Sequence, residues 1–392
     1  MPEDYPEPPV EPDSIEPAAL ARRLADGEPV RLLDVRNRDE YESWRVSGPS
    51  VTATQLPFSK ALQAQVTDSI EELAAQVDGE GPITVVCARG EASDYVAGLF
   101  EQAGIEAHNL VDGMHGWARV YEAHEIDDAP DGVTALQYQR PSSGCLGYLL
   151  VADGEAAVVD PLRAFTDRYA ADAAAHDATI EYVLDTHVHA DHVSGLRTVA
   201  AASGGEAIVS DRAADRGITD DVRTIEDGET LSLGGTELRA VALPGHTTGM
   251  TGVTVGDLLL TGDSLFVESV ARPDLESGDD GAPELARELY ATLTERLAAF
   301  DDGTTIAPGH VSERTPRNDD GSYTATLGHL REALWVFDID RESFVERVLS
   351  DMPARPSNFE SIIAANLGER TPSDDDAFEW ELGPNNCAAT AD

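Results

Sequence analysis

Short apolar runs recur along the chain, each closed by a polar or glycine-bearing segment. Ser14 is a candidate N-cap for a short helix through Leu24 that stops at Gly27, and Val30 to Val35 follows as a strand. Ile83-Thr84-Val85-Val86 is a second strand. It leads into a helix with Tyr95, Val96, Leu99 and Phe100 on one side and Gly104 as its stop. Strands alternating with helices predict a parallel α/β domain. Farther on, Thr134 to Gln139, Tyr148 to Ala152 and Ala156 to Val159 read as successive strands and turns of a sheet. Ile180 to Leu184, Leu238 to Leu243, Leu258 to Leu260 and Thr304 to Ile306 read as further buried strands. The last two are separated by an amphipathic helix with Leu285, Leu289, Leu293 and Leu297 inward.

Composition sharpens this outline. A chain of 392 residues has room for two to three domains with ample core. Its formal charge is −47, from 74 acidic and 27 basic residues, and Lys60 is the only lysine. Such a surface repels nucleic-acid phosphates and anionic membranes, so neither is an expected partner. It would also repel itself unless strong salt screens it, which suggests a halophile. Cys87, Cys145 and Cys387 do not make a disulfide framework. Without a basic-then-apolar signal segment or a long apolar run, the expectation is a cytoplasmic protein. Residues 1–13 are proline-rich and acidic and read as a disordered tail. The sequence leaves open whether the chain forms a homo-oligomer.

The densest chemistry follows the Ile180–Leu184 run. Thr186-His187-Val188-His189-Ala190-Asp191-His192 packs three of the chain's ten histidines and a carboxylate into one short stretch. Residues two apart in extended chain point the same way, so His187 and His189 can face one metal ion. Asp191 and His192 can serve the same ion or a second one. Three later strands also end in candidate ligands: His246 after Pro244-Gly245, Asp263 after Thr261-Gly262, and His310 after Pro308-Gly309. Any one of these alone would be an ordinary loop residue. Four strand ends delivering metal-type ligands, most beside glycine, point to a common centre. The expectation is that no cysteine lies near these ligands, which argues against a closed structural zinc site and against a sulfur-binding scaffold with a structural metal.

Cys87 stands at the carboxyl end of a strand and the amino end of a helix, where backbone N–H groups and the helix dipole favour a thiolate. A buried, inert cysteine would fit that position as well. The surroundings resemble the rhodanese family of sulfurtransferases. The resemblance rests on Leu33-Asp34-Val35-Arg36 with Glu40-Tyr41, the Cys87–Ala92 loop, and Val111-Asp112-Gly113-Met114-His115-Gly116-Trp117. It implies a rhodanese-like domain over 14–126, with Cys87 carrying sulfane sulfur as a persulfide. The family's loop commonly ends in an arginine that binds an anionic donor; here Ala92 stands there, preceded by Glu91, and Arg89 is the remaining cation. Thiosulfate is therefore a poor candidate donor.

After an acidic linker, Glu125–Asp131, residues 132–370 resemble the metallo-β-lactamase superfamily through the full set His187, His189, Asp191, His192, His246, Asp263 and His310. The fold implied is an αββα sandwich, making the chain α/β throughout, with 371–392 as an acidic C-terminal tail. Two activities fit. Glyoxalase II-type thioesterases use all seven residues for two Zn(II). Persulfide dioxygenases hold one Fe(II) per chain through the equivalents of His187, His246 and Asp263, a facial set that leaves room for O₂ and substrate. The dioxygenase is favoured by Ala271-Arg272-Pro273-Asp274-Leu275, similar to the Gly-Arg-Pro-Asp-Leu stretch of those enzymes, although Ala271 replaces the glycine. It is favoured also by the segment from Thr326 to Leu367 and by the fused rhodanese. The resemblance then implies oxidation of a low-molecular-weight thiol persulfide by O₂ to sulfite and thiol. His189, Asp191, His192 and His310 would act as second-metal ligands or from around the first. Arg272 would hold a carboxylate of the carrier thiol or pair with Asp274.

Overall fold

The computed structural model describes residues 5–218, 222–350, 352–383 and 387–389, which fold as two compact units. The first takes in the chain up to Tyr121 together with Arg140–Ser143; the second takes in Glu122–Gln139 and the chain from Gly144 onward.

In the first unit, strands β1 (Asp13–Ile15), β2 (Val30–Asp34), β3 (Val51–Gln55), β4 (Ile83–Val86) and β5 (Ala107–Leu110) form one sheet in the order β1-β5-β4-β2-β3. Every pairing is parallel. A parallel sheet needs cover on both faces, and alternating side chains supply it. Leu33 and Val85 pack with Val96 and Phe100 on one face, while Leu32 and Val86 pack with Leu20 and Trp117 on the other. Ser14 lies inside β1 rather than capping a helix; the helix starts later, at Pro17, and runs to Ala25. Three residues paired to β5 are too few to leave a period-2 signature in the sequence. The expected tail over 1–13 is also docked where it is described. Tyr5 meets the Phe58 ring edge-on at 5.4 Å, and the Val10 carbonyl lies against Gly98, so close that a Cβ there would stand 2.5 Å from the oxygen.

In the second unit, a seven-stranded sheet contains β6 (Glu122–Glu125), β7 (Thr134–Arg140), β8 (Cys145–Ala152), β9 (Glu155–Val159), β10 (Thr179–Leu184), β11 (Glu206–Ser210) and β12 (Arg223–Ile225). A six-stranded sheet contains β13 (Thr230–Leu233), β14 (Thr236–Ala242), β15 (Thr251–Val255), β16 (Leu258–Gly262), β17 (Thr305–Pro308) and β18 (Ala325–Thr326). The sheets share one core, with Leu150, Leu184 and Ile208 against Leu238, Val253 and Leu260. Outside the six-stranded sheet, Leu243, Leu259 and Ile306 meet Leu289, Leu293 and Leu297 from helix Gly278–Ala291 and its continuation. Helices Thr166–Ala175 and Leu196–Ser203 cover the other sheet. The result is the expected αββα sandwich.

Two boundaries differ from the sequence expectation. The acidic linker 125–131 belongs to the second unit: β6 pairs with β7, and Ile126 is buried and donates its N–H to the Ala135 carbonyl. A short, charged edge strand carries no alternation that sequence reading can detect. The C-terminal stretch is no loose tail in its described part. Helix Asp374–Trp380 buries Ala377 and Phe378, and Ala388 bridges to Ala271. Among the described residues, no helix is long and apolar enough to cross a membrane.

Candidate metal centre and the Cys87 loop

The histidine stretch leaves β10 at its carboxyl end. Strands β14, β16 and β17 run in one common direction, so their carboxyl ends bring His246, Asp263 and His310 to the same edge. Two glycines permit the convergence. A Cβ on Gly309 would stand 2.5 Å from Asp263 Oδ1, and one on Gly262, whose φ is +49°, would stand 2.6 Å from Thr186 Oγ1.

His187, His246 and Asp263 are brought together at 2 %, 1 % and 0 % exposure. Asp263 Oδ2 lies 3.8 Å from His187 Nε2 and 3.7 Å from His246 Nε2. Ligand bonds of about 2.0–2.2 Å are typical for such donors, and atoms spaced this way can share one ion. Among the described residues, His187 Nε2 and Asp263 Oδ2 have no hydrogen-bond partner. Buried polar atoms left so are costly unless something binds them, and a metal ion fits.

The remaining atoms of these side chains are committed. His246 Nδ1 hydrogen-bonds the Arg272 carbonyl at 2.8 Å, and His187 Nδ1 hydrogen-bonds Thr186 Oγ1 at 2.9 Å. Asp263 Oδ1 meets His310 Nδ1 at 2.5 Å. Burial pulls the His187 imidazole well below its ordinary pKa, and the rings of His189 and His246 add to this. Burial lowers His246 as well. Burial alone would raise the Asp263 carboxyl, but the charge and hydrogen bond of His310, helped by His246, hold it below the usual carboxylate range. Neutral imidazoles beside an ionised carboxylate are the protonation states a cation needs.

The other candidates form a second group. Asp191 Oδ2 contacts His192 Nδ1 at 3.0 Å and His310 Nε2 at 3.2 Å. His189 turns Nε2 toward Asp160 Oδ1 at 3.1 Å. Arg272 is 1 % exposed, with Nε and one terminal nitrogen forked onto Asp274 at 2.7 and 3.0 Å and the other nitrogen on the Ala354 carbonyl. Of its two expected roles, the pairing with Asp274 is the one this geometry fits. A guanidinium so enclosed is not presented to a ligand's carboxylate.

Several residues escape sequence reading. Asp160, at the end of β9 with φ +50°, accepts from Thr186 N and Oγ1 at 2.7 and 2.8 Å. Asn366 donates to the carbonyls of both His189 and His192 at 2.9 Å and accepts from Ser194 N. The strand-end position of Asp160 was a usable signal; Asn366 offered none beyond its place in the C-terminal resemblance. Most unexpectedly, two cysteines flank the ligands. Cys145 Sγ donates to Asp191 Oδ2 at 3.2 Å, and Cys387 lies with Asp191 and His310 in a group whose donor atoms fall within 4.8 Å of one another. The expectation that no cysteine stands near the ligands is overturned, because packing brings both thiols to Asp191.

In the first unit, Cys87 follows β4 and is buried. Its Sγ accepts from Gly90 N at 3.1 Å and Ser93 Oγ at 3.2 Å. Met114 N donates to the Cys87 carbonyl at 2.9 Å, and Gly113 lies too close to that carbonyl to carry a side chain. Two donors aimed at one sulfur suit a thiolate or a persulfide. Arg89 is exposed on the same loop, while Ala92 is buried. A buried pair, Asp34 with Arg36 at 2.6 Å, closes the end of β2, where Asp34 pairs with Val86 beside Cys87.

Comparison with known proteins agrees with this architecture. Residues 142–310 match the metallo-beta-lactamase superfamily and residues 16–120 the rhodanese-like domain. A hydroxyacylglutathione hydrolase of Acidiphilium cryptum is 30% identical over 215 residues, covering 53% of this chain and 83% of that protein. The human mitochondrial persulfide dioxygenase ETHE1 is 26% identical over 243 residues, covering 60% of this chain and 89% of that protein. The crystal structure of ETHE1 from Myxococcus xanthus superposes with a TM-score of 0.52 at 26% identity, covering 59% of this chain and 96% of that one. Against other hydroxyacylglutathione hydrolases the match spans only 57–60% of their length. The chain belongs to the metallo-beta-lactamase superfamily, a superfamily of metal-dependent enzymes, and carries an N-terminal rhodanese-like domain.

Proposed function

We propose that the protein is a persulfide dioxygenase whose single Fe(II) is held by His187, His246 and Asp263, coupled to sulfur transfer at Cys87. The observation that carries this reading is the division of labour within Asp263. One oxygen faces His187 and His246, while the other is engaged by His310. An ion seated against Oδ2 would lie between the two imidazoles, with the carboxylate held from its other oxygen by His310. The similarity to ETHE1 over most of that protein's length and the fused sulfur-handling domain support the same reading.

Bound iron would supply a redox-active centre at which O₂ and the terminal sulfur of a persulfide meet. The chain's own residues do the rest. His187, His246 and Asp263 would hold the ion, a donor set that leaves positions for O₂ and substrate. His310 holds Asp263 in place and, with Asp191, offers a route for protons. The buried setting excludes water from the reacting groups. Persulfide, O₂ and water give free thiol, sulfite and protons. Cys87 would accept sulfane sulfur from a carrier persulfide, with the carrier thiol leaving, or return it to sulfite to give thiosulfate.

The test is oxygen uptake by iron-loaded protein given a low-molecular-weight persulfide, with sulfite formed in step. A second reading, a thioesterase with two Zn(II), is favoured by the presence of Asp191, His192 and His310 beside the triad. Brisk hydrolysis of S-lactoyl thioesters by zinc-loaded protein without oxygen uptake would select it.

A further inference from the structure

Next to Thr186 the two sheets of the second unit do not close completely. Between them lies a cavity in which the centre of one water-sized molecule has about 10 Å³ to occupy. Protein interiors keep few voids of that size. Its wall takes Ile208 from β11 and Ile225 from β12 on one side, and Leu231 from β13, Ala240 from β14 and Val253 from β15 on the other. Strands β12 and β13 are the edge strands of their sheets, so the lining runs from the edge of the sandwich to Thr186.

The cavity has little to offer a water molecule. Four polar residues border it, and each side chain is already committed. Thr186 Oγ1 donates to Asp160 Oδ2 at 2.8 Å, and Asp185 accepts from Ser194 Oγ at 2.8 Å. Ser210 Oγ donates to the Gly249 carbonyl at 2.6 Å, and Thr251 Oγ1 donates to the same carbonyl at 3.3 Å. A buried water needs several polar partners, whereas a void walled by aliphatic side chains stays dry and takes up apolar guests such as xenon. The cavity also borders the candidate metal centre through one residue. Thr186 Oγ1 meets His187 Nδ1 at 2.9 Å, and it lies only 2.6 Å from where a Cβ on Gly262 would stand, one residue before Asp263.

We propose that this cavity is a binding site for O₂ that supplies the iron centre. The inference rests on the dioxygenase reading and adds to it a place where the gas is held. O₂ is small, uncharged and more soluble in apolar surroundings than in water. A dry void beside the point of use would therefore concentrate it, while a charged persulfide, which would lose its hydration there, is kept out. Thr186 then has two roles: it orients His187 and forms the wall between stored gas and metal ligand.

The test uses the full chain. Crystals pressurised with xenon should show one xenon atom between Ile208, Ala240 and Val253. In solution, xenon should compete with O₂ on the iron-loaded wild type, raising KM for O₂ severalfold while kcat and KM for the persulfide stay unchanged. Ala240→Leu and the milder Val253→Ile fill the space; each should lose the xenon atom and raise KM for O₂ without xenon present. A wild-type cavity that takes no xenon would overturn the proposal, as would a KM for O₂ indifferent to xenon and to both fillings. Wild-type protein that consumes no O₂ under any condition would instead end the dioxygenase reading and the supply role with it, and xenon occupancy would still decide whether the cavity binds an apolar gas.

Discussion

The ring of His246 and the backbone of Arg272 are joined by a 2.8 Å hydrogen bond, and the Arg272 side chain is in turn forked onto Asp274. A candidate ligand's orientation therefore depends on an arginine that lies buried behind it. Arg355 reinforces the anchor by reaching the same Asp274 at 2.8 Å. Arg272→Lys keeps the charge but cannot reproduce a planar two-point fork. It should lower the melting temperature and weaken retention of metal by His246, read by calorimetry and metal analysis of the same sample. An unchanged melt would remove Arg272 from the list of positioning residues.

The same anchor sets a pH dependence. Burial alone would raise the Asp274 carboxyl, but Arg272 and then Arg355 hold it below the usual carboxylate range. A carboxyl whose folded pKa lies below its unfolded value stabilises fully above the unfolded value, about 3.9, and loses that contribution as pH falls through the folded one. Asp274→Asn should cost about 3–5 kcal/mol at neutral pH, because it strands a buried guanidinium. The gap between variant and wild type should narrow below about pH 4. A gap that stays constant into acid would contradict this assignment.

Asp160 touches no candidate metal ligand of the triad directly; it acts through Thr186, which contacts His187, and through His189. Outer partners of this kind commonly matter by about 10–100-fold in metal affinity. Asp160→Asn should fall in that range by competition with a chelator, with far-ultraviolet circular dichroism unchanged.

At the rhodanese-like loop, Cys87→Ala should abolish sulfur transfer to a thiol acceptor and spare oxygen uptake. Ser93→Ala, which removes one of the two donors to Cys87 Sγ, should slow transfer without abolishing it. Loss of both activities in Cys87→Ala would show that the division of labour between the two domains is wrong.

Salt should matter throughout. With a formal charge of −47, self-repulsion grows as screening falls, and the protein should lose thermal stability below about 0.5 M salt. A melting temperature indifferent to desalting would dismiss the halophile reading.

The sequence by itself determined the strand–helix alternation and put candidate ligands at strand ends beside glycines, because these are local features; both domain types and the grouping of His187, His246 and Asp263 rested on resemblance to known families. It also placed Cys87 at the strand-to-helix turn after β4. Only the tertiary structure decided what Arg272 is for: Asp274 stands two residues away along the chain, but the Ala354 carbonyl and the packing that closes around the guanidinium come from the fold. Only the fold, too, brought Cys387 to Asp191 and His310: that contact needs the short Ala271–Ala388 bridge. A bridge of so few residues carries no periodicity to read, and the distance it closes in space is invisible along the chain.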